Sequence, residues 1–160
     1  MKFNTKPSLP DERDHIYYSD SKQVLRESVD LREWDTIVES QESLGSCASN
    51  ALTNAYELSV KHEYPEYLKQ LSRLFIYYNT RSEYGNILED NGMFLRDGLK
   101  ALAKFGVCSE ELWSYDIEKF DDKPTDECYE DAKKRKIIKY QKLISNYYIT
   151  EVLNNNKPVV

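Results

Sequence analysis

The stretch Gln41-Glu42-Ser43-Leu44-Gly45-Ser46-Cys47-Ala48-Ser49-Asn50-Ala51-Leu52 contains the residue types from which acyl-transfer chemistry is built. Cys47 follows a Gly-Ser turn and stands at the mouth of a segment with helical spacing. A thiol in the first turn of a helix faces unpaired backbone N–H groups and the positive end of the helix dipole. That setting favours the thiolate, which is the nucleophilic form. Gln41, upstream on the same stretch, brings a neutral amide able to donate a hydrogen bond to an oxyanion forming on an attacked carbonyl. The residues alone leave a second reading open, since an unpaired cysteine at a helix start is also an ordinary small buried side chain.

The helix after the turn must position the pair. Ala48, Ala51, Leu52, Ala55, Tyr56 and Leu58 recur at three- and four-residue steps and share one face. Pro65 breaks the pattern, and Leu71–Tyr78 then forms a second apolar, aromatic helical segment. Gly85 to Gly92 is a surface loop ending in Glu89-Asp90-Asn91-Gly92. A third helix with Phe94, Leu95, Leu99, Leu102 and Phe105 follows and stops at Gly106. Asn91-Gly92 is an ordinary turn dipeptide, and its glycine would also let a second backbone approach closely. Ser109 suits an N-cap for a short turn, while Trp113 and Tyr115 are read as packing residues. Residues 121–128 form a polar loop, and a charged helix is expected over Cys128–Lys136. Ile137–Leu143 alternates and is β-branched, which predicts a strand. A short helix over Ile149–Leu153, a turn over 154–157 and the start of a strand at Pro158-Val159-Val160 complete the pattern. Residues 1–28 form an irregular arm containing Pro7, Pro10 and the charged cluster Asp11-Glu12-Arg13-Asp14.

The 160 residues suffice for one real core, with 31% charged residues and a net charge of −6. Mean hydropathy is −0.73, and no apolar run nears the roughly 18 residues of a membrane span. The acidic balance argues against nucleic acid as a partner, and Lys133-Lys134-Arg135-Lys136 is read as a solvated helix face. The polar start Met-Lys-Phe-Asn-Thr-Lys-Pro lacks a signal-peptide core, so an intracellular location is expected. Cys47, Cys108 and Cys128 are too few and too far apart for a disulfide framework or a Cys-x-x-Cys zinc site. No metal or cofactor is expected. A Cys108–Cys128 bridge is open in an oxidising compartment, and unbridged thiols are the favoured expectation.

Gln-x-x-x-Gly-Ser-Cys opening a helix resembles the active-site segment of papain-like cysteine peptidases. Gln41, the Gly45-Ser46-Cys47 run and the spacing between them match. Glu42 stands where a glycine is usual, Leu44 replaces a cysteine that secreted members use in a disulfide, and Ala48 replaces an aromatic residue. The Leu-Gly-Ser-Cys-x-x-Asn-Ala form is similar to intracellular, microbial and viral-type relatives. Val29-Asp30-Leu31-Arg32 resembles the start of the family's mature domain, Leu71-Ser72 a helix start, Trp113-Ser114-Tyr115 an aromatic segment, and Pro158-Val159 the entry to the second lobe. The family's prosegment is long and helical, and this arm is too short to be one. It would be a brief occluding peptide or a strap across the back of the fold.

This resemblance implies an α+β fold of which residues 29–160 supply the mainly helical lobe, with the β-barrel lobe largely missing. It implies Cys47 as nucleophile and Gln41 as oxyanion donor, acting on a peptide or protein substrate. Asn91 and Gly92 would supply backbone contacts to that substrate, with Met93 and Phe94 walling a large apolar pocket. The family's His and Asn lie roughly 130–150 residues beyond the cysteine. His62 would be about 20 Å away along one helix, and His15 lies in the arm. A C-terminal lobe or a second chain carrying His and Asn would therefore be a required partner, and the chain alone would be inactive. The alternative is a non-catalytic peptide-binding or regulatory module on the same fold. A lone helical lobe would also expose the apolar face that meets the barrel and tend to associate.

Overall fold

A computed structural model describes residues 8–160; the expectations for Pro7 and for the polar Met1–Pro7 segment lie outside them. Five α-helices follow in order: α1 (Cys47–Glu63), α2 (Arg73–Tyr84), α3 (Leu95–Lys104), α4 (Asp126–Ala132) and α5 (Asn146–Asn154). Short 3-10 turns occupy Arg32–Trp34, Pro65–Tyr67 and Ile117–Lys119. Among the described residues there are no strands, only isolated bridges at Ile16–Lys142 and Leu71–Ser109. No helix among them is long and apolar enough to cross a membrane.

α2 is the axis of the molecule. Every residue from Arg73 to Arg81 is buried, as befits a helix enclosed on all sides. Ser72 starts it: its hydroxyl accepts from the Phe75 N–H (3.1 Å) and donates to the Trp113 carbonyl (2.5 Å). Burial of Leu74, Phe75 and Ile76 contributes on the order of 2 kcal/mol each. α1 and α3 pack against α2 and against each other. Gly98 permits the α1–α3 approach, since a Cβ there would stand 2.3 Å from the Met93 Cε and 2.5 Å from the Leu52 Cδ1. Gly106 ends α3 at φ +82°, and a Cβ on it would fall 2.0 Å from the Ala132 carbonyl oxygen.

The buried stripe of α1 departs from the expected one. Ala51 faces solvent, whereas Ser49, Thr53 and Glu57 are buried beside Ala48, Leu52 and Leu58. Local bonds make this possible: Ser49 donates to the Ser46 carbonyl (2.9 Å) and Thr53 to the Ser49 carbonyl (3.0 Å). The segment leading to the turn lies along α1 and carries the 3-10 turn Arg32–Trp34. Trp34 stacks edge-on against His62 (4.2 Å between centroids), and Thr36 donates to the buried Glu57 carboxylate (2.7 Å).

The strand expected over Ile137–Leu143 is absent, and so is the one at Pro158–Val160. A β-branched alternation becomes a strand only where a neighbour pairs with it. Here only Lys142 finds one, donating to the His15 carbonyl (2.7 Å) and accepting from the Tyr17 N–H (2.9 Å), while Ile138 is fully exposed. The helix expected over Cys128–Lys136 begins earlier, at Asp126, and ends at Ala132. α5 is longer than expected because Ser145 caps it, accepting from the Tyr148 N–H (3.3 Å). Cys108 and Cys128 are fully buried and not disulfide-bonded.

The arm from residue 8 onward is irregular and runs against residues 140–157. Glu151, wholly buried, accepts from the Ser19 hydroxyl (2.7 Å) and the Gln23 amide (3.2 Å). Arg26 donates to the Asn154 carbonyl (2.6 Å) and the Asn156 side chain (2.7 Å). Arg96, at the start of α3, donates to the Leu9 carbonyl and to Asp14, both at 2.6 Å.

Candidate active site

Cys47 is the first residue of α1 and is partly exposed, while Leu44, Gly45 and Ser46 before it are buried. Ser46 stands at the N-cap position but does not cap with its side chain. Its hydroxyl lies 2.5 Å from the Tyr115 hydroxyl, which donates to the Gln41 carbonyl (2.9 Å). Tyr115 has one hydroxyl proton, already given to Gln41, so Ser46 is the donor of the shorter bond. Asn50 donates to the Ser46 hydroxyl (3.1 Å) and carbonyl (2.9 Å), and its own side-chain oxygen accepts from Arg73 (2.9 Å). The series Arg73, Asn50, Ser46, Tyr115, Gln41 is thus one directional chain in which each bond polarises the next. Burial holds the Tyr115 phenol above its ordinary range, so it remains a donor at neutral pH.

Arg73 fixes the approach to the turn. Its guanidinium lies 3.9 Å over the Tyr115 ring, donates to the Ser40 carbonyl (3.1 Å) and stands 2.6 Å from the Glu39 carboxylate. Two further carboxyls complete this corner. Burial raises Glu57, against the opposing bonds from Thr36 and the Leu71 N–H. Burial also pushes Glu110 up to about 7, opposed by the Tyr115 N–H (2.5 Å) and by Arg73, and reinforced by the charges of Glu39 and Glu57.

Gln41 is buried, and its side-chain amide donates to the Leu44 carbonyl (2.9 Å). The amide plane is therefore set by the turn that carries it. Glu42 takes φ +53°, a left-handed conformation that favours glycine. Leu44 N–H closes the turn on the Gln41 carbonyl (3.2 Å).

The Asn91–Phe94 run lies beside this turn. Asn91 is exposed, and Gly92 adopts φ +72° with its N–H donating to the Tyr77 hydroxyl (3.3 Å). Met93 turns into the core, whereas Phe94 remains half-buried at the start of α3. Asp90 accepts from the Gly45 N–H with both oxygens, at 2.8 and 3.1 Å. Neither histidine joins the group: His62 sits at the opposite end of α1, and His15 lies edge-on to Tyr140 (6.5 Å between centroids). Among the described residues no three metal-ligating side chains come together.

Sequence reasoning missed Tyr115, Arg73 and Asp90 as parts of this arrangement. Arg73 carried a usable signal, a lone charge between Leu71 and Leu74 in an apolar run. Tyr115, 74 residues from Gln41, carried none.

No protein-family model matches the chain. A peptidase C1-like protein of Acanthamoeba polyphaga mimivirus is 36% identical over 154 residues, covering 85% of this chain and 50% of that protein. The chain thus spans about half the length of the curated relative it matches. The crystal structure of xylellain, a cysteine protease from Xylella fastidiosa, superposes with a TM-score of 0.82 at 33% identity over 95% of this chain and 61% of xylellain. Digestive procathepsin L 3 of Tenebrio molitor shares the fold, with a TM-score of 0.71 at 21% identity over 89% of this chain and 45% of its own. In sequence and in fold, the chain is similar to the N-terminal, helical part of papain-like cysteine peptidases.

Proposed function

We propose that this chain supplies the nucleophile and oxyanion side of a peptidase cleft. The observation that carries the reading is that Cys47 opens α1 directly after the turn holding Gln41, and Asp90 bonds this turn to the Asn91–Gly92 loop. The Cys47 sulfur would attack a peptide carbonyl, forming a C–S bond as the carbonyl oxygen takes up negative charge. Gln41 would meet that charge. Departure of the amine needs a proton from an imidazole, and water then hydrolyses the thioester. His15 and His62 are unsuited by position, so the imidazole would come from a C-terminal lobe or a second chain that also brings Asn. Gly92 directs its N–H inward, so the substrate backbone would meet other groups of the loop. The pocket wall falls to Phe94, with Met93 packed beneath it. Cys47, Cys108 and Cys128, none in a disulfide, suit a reducing, intracellular compartment.

Peptide hydrolysis by a protein carrying these residues together with the portion its relatives have beyond the matched half is the test. Cys47→Ala should abolish hydrolysis, and hydrolysis that survives the substitution would sink the proposal. The 160-residue chain alone should show no turnover. Peptide binding without cleavage, even in the completed protein, would point instead to a non-catalytic module.

A further inference from the structure

α2 carries Tyr77 and Arg81 one helical turn apart, both buried, on the side that meets the Gly85–Gly92 loop. Arg81 gathers the loop by its backbone, donating to the carbonyls of Ile87 (2.8 Å) and Glu89 (3.1 Å), with its guanidinium 4.1 Å over the Tyr77 ring. The Tyr77 hydroxyl donates to Asp90 (2.5 Å) and accepts from the Gly92 N–H (3.3 Å). Burial, with Asp90 alongside, holds this phenol well above its ordinary range, so it stays a donor. From the other side the same carboxylate accepts the Gly45 N–H with both oxygens. Two backbone segments far apart in sequence are thus joined through one carboxylate and one hydroxyl.

We infer that Asp90 is a positioning residue that couples the loop bearing Gly92 to the turn presenting Cys47, with the Tyr77 hydroxyl as relay. Gly45 stands two residues before Cys47, so a displacement of Gly92 reaches the nucleophile through three hydrogen bonds. These bonds are charge-assisted at the carboxylate, stronger than neutral ones, and shielded by the burial of Tyr77 and Gly45. The consequence at Cys47 rests on the peptidase reading, whereas the coupling of the two segments can be measured without it.

Two measurements separate these, the first on the chain as it stands. Native-state hydrogen exchange of the Gly45 and Gly92 amides is compared in wild type, Asp90→Ala and Tyr77→Phe. Both amides should accelerate together by about tenfold or more in each variant, while amides inside α2 keep their protection. Acceleration of one amide without the other, in both variants, overturns the coupling. Tyr77→Phe removes only a hydroxyl and carries the test if Asp90→Ala does not fold. The second measurement, on the chain completed with the portion its relatives have beyond the matched half, is the ratio of Cys47 alkylation rates by a peptidyl chloromethyl ketone and by iodoacetamide, with Cys108 and Cys128 buried out of reach. The ratio should fall about tenfold in Asp90→Ala. A wild-type preference for the peptidyl reagent that both variants retain overturns the positioning role and leaves the peptidase reading intact. No preference in wild type refutes the peptidase reading and the role at Cys47 with it, while the exchange result still decides the coupling.

Discussion

Glu110 offers the sharpest test of the buried corner around Arg73. Its carboxyl, raised mainly by burial from 4.5 to about 7, accepts the Tyr115 N–H with one oxygen and has no hydrogen-bond partner at the other. Because the native pKa lies above the unfolded one, the folded chain holds this proton more tightly. Below pH 4.5 both states are protonated and the group costs nothing. As pH rises from 4.5 to about 7 the unfolded chain releases its proton first, and stability falls; above 7 the penalty is constant. At about 1.4 kcal/mol per pH unit the full penalty is about 3.5 kcal/mol, and partial exposure of the side chain reduces it to about 1.5 kcal/mol. Glu110→Gln keeps the shape and the acceptor for Tyr115 but removes the charge. It should stabilise the chain by about 1.5 kcal/mol at pH 8, equivalent to roughly 3–6 °C in Tm, and change little at pH 4. Urea denaturation of both proteins at the two pH values measures the difference. Equal effects at pH 4 and pH 8, or a less stable variant at pH 8, would refute the assignment of a buried, unpaired charge.

Four further outcomes follow from other features. Glu42→Gly should raise stability by about 0.5–1 kcal/mol in chemical denaturation by relieving the left-handed conformation at φ +53°. Gly106→Ala should cost about 3 kcal/mol or more, because φ +82° and the Ala132 carbonyl both oppose a Cβ; a loss under 1 kcal/mol would contradict the close approach. Tyr115→Phe keeps the ring under Arg73 but leaves the Gln41 carbonyl and Ser46 hydroxyl each short of a partner, so denaturation should show a loss of about 1–3 kcal/mol. Glu151→Ala removes the acceptor for Ser19 and Gln23, and limited proteolysis should then cut near residues 19–23 several-fold faster while α1–α3 stay protected.

The helical frame was legible in the sequence because its signals are local. A Gly-Ser turn before apolar spacing announces α1, Ser72 caps α2, and Gly106 ends α3 by a rule that needs only its neighbours. The strand over Ile137–Leu143 failed for the converse reason: strand formation depends on a partner, and the arm offers one at Lys142 alone. Cys47, Gln41 and the Asn91–Gly92 loop were found as motif residues, but what holds them was hidden. The Tyr115 hydroxyl reaches Gln41 across 74 residues, and Asp90 reaches Gly45 across 45. Such pairings leave no trace in spacing. The polar stripe Ser49, Thr53 and Glu57 was hidden for a related reason, since its burial depends on bonds each side chain makes to the preceding turn and to Thr36.

The arm's contacts bear on the order in which the chain is made. Its sites on Lys142, Glu151, Asn154 and Asn156 follow it by more than a hundred residues. During synthesis α1, α2 and α3 can close on one another while those sites are still inside the ribosome, because the contacts among these helices span at most a few tens of residues. Arg96 on α3 can hold the arm early at Leu9 and Asp14, but residues 19–26 wait unpaired until α5 emerges. That part of the arm is translated before the helices and docks after them, and a chain arrested before Glu151 would carry a folded helical core with residues 19–26 loose.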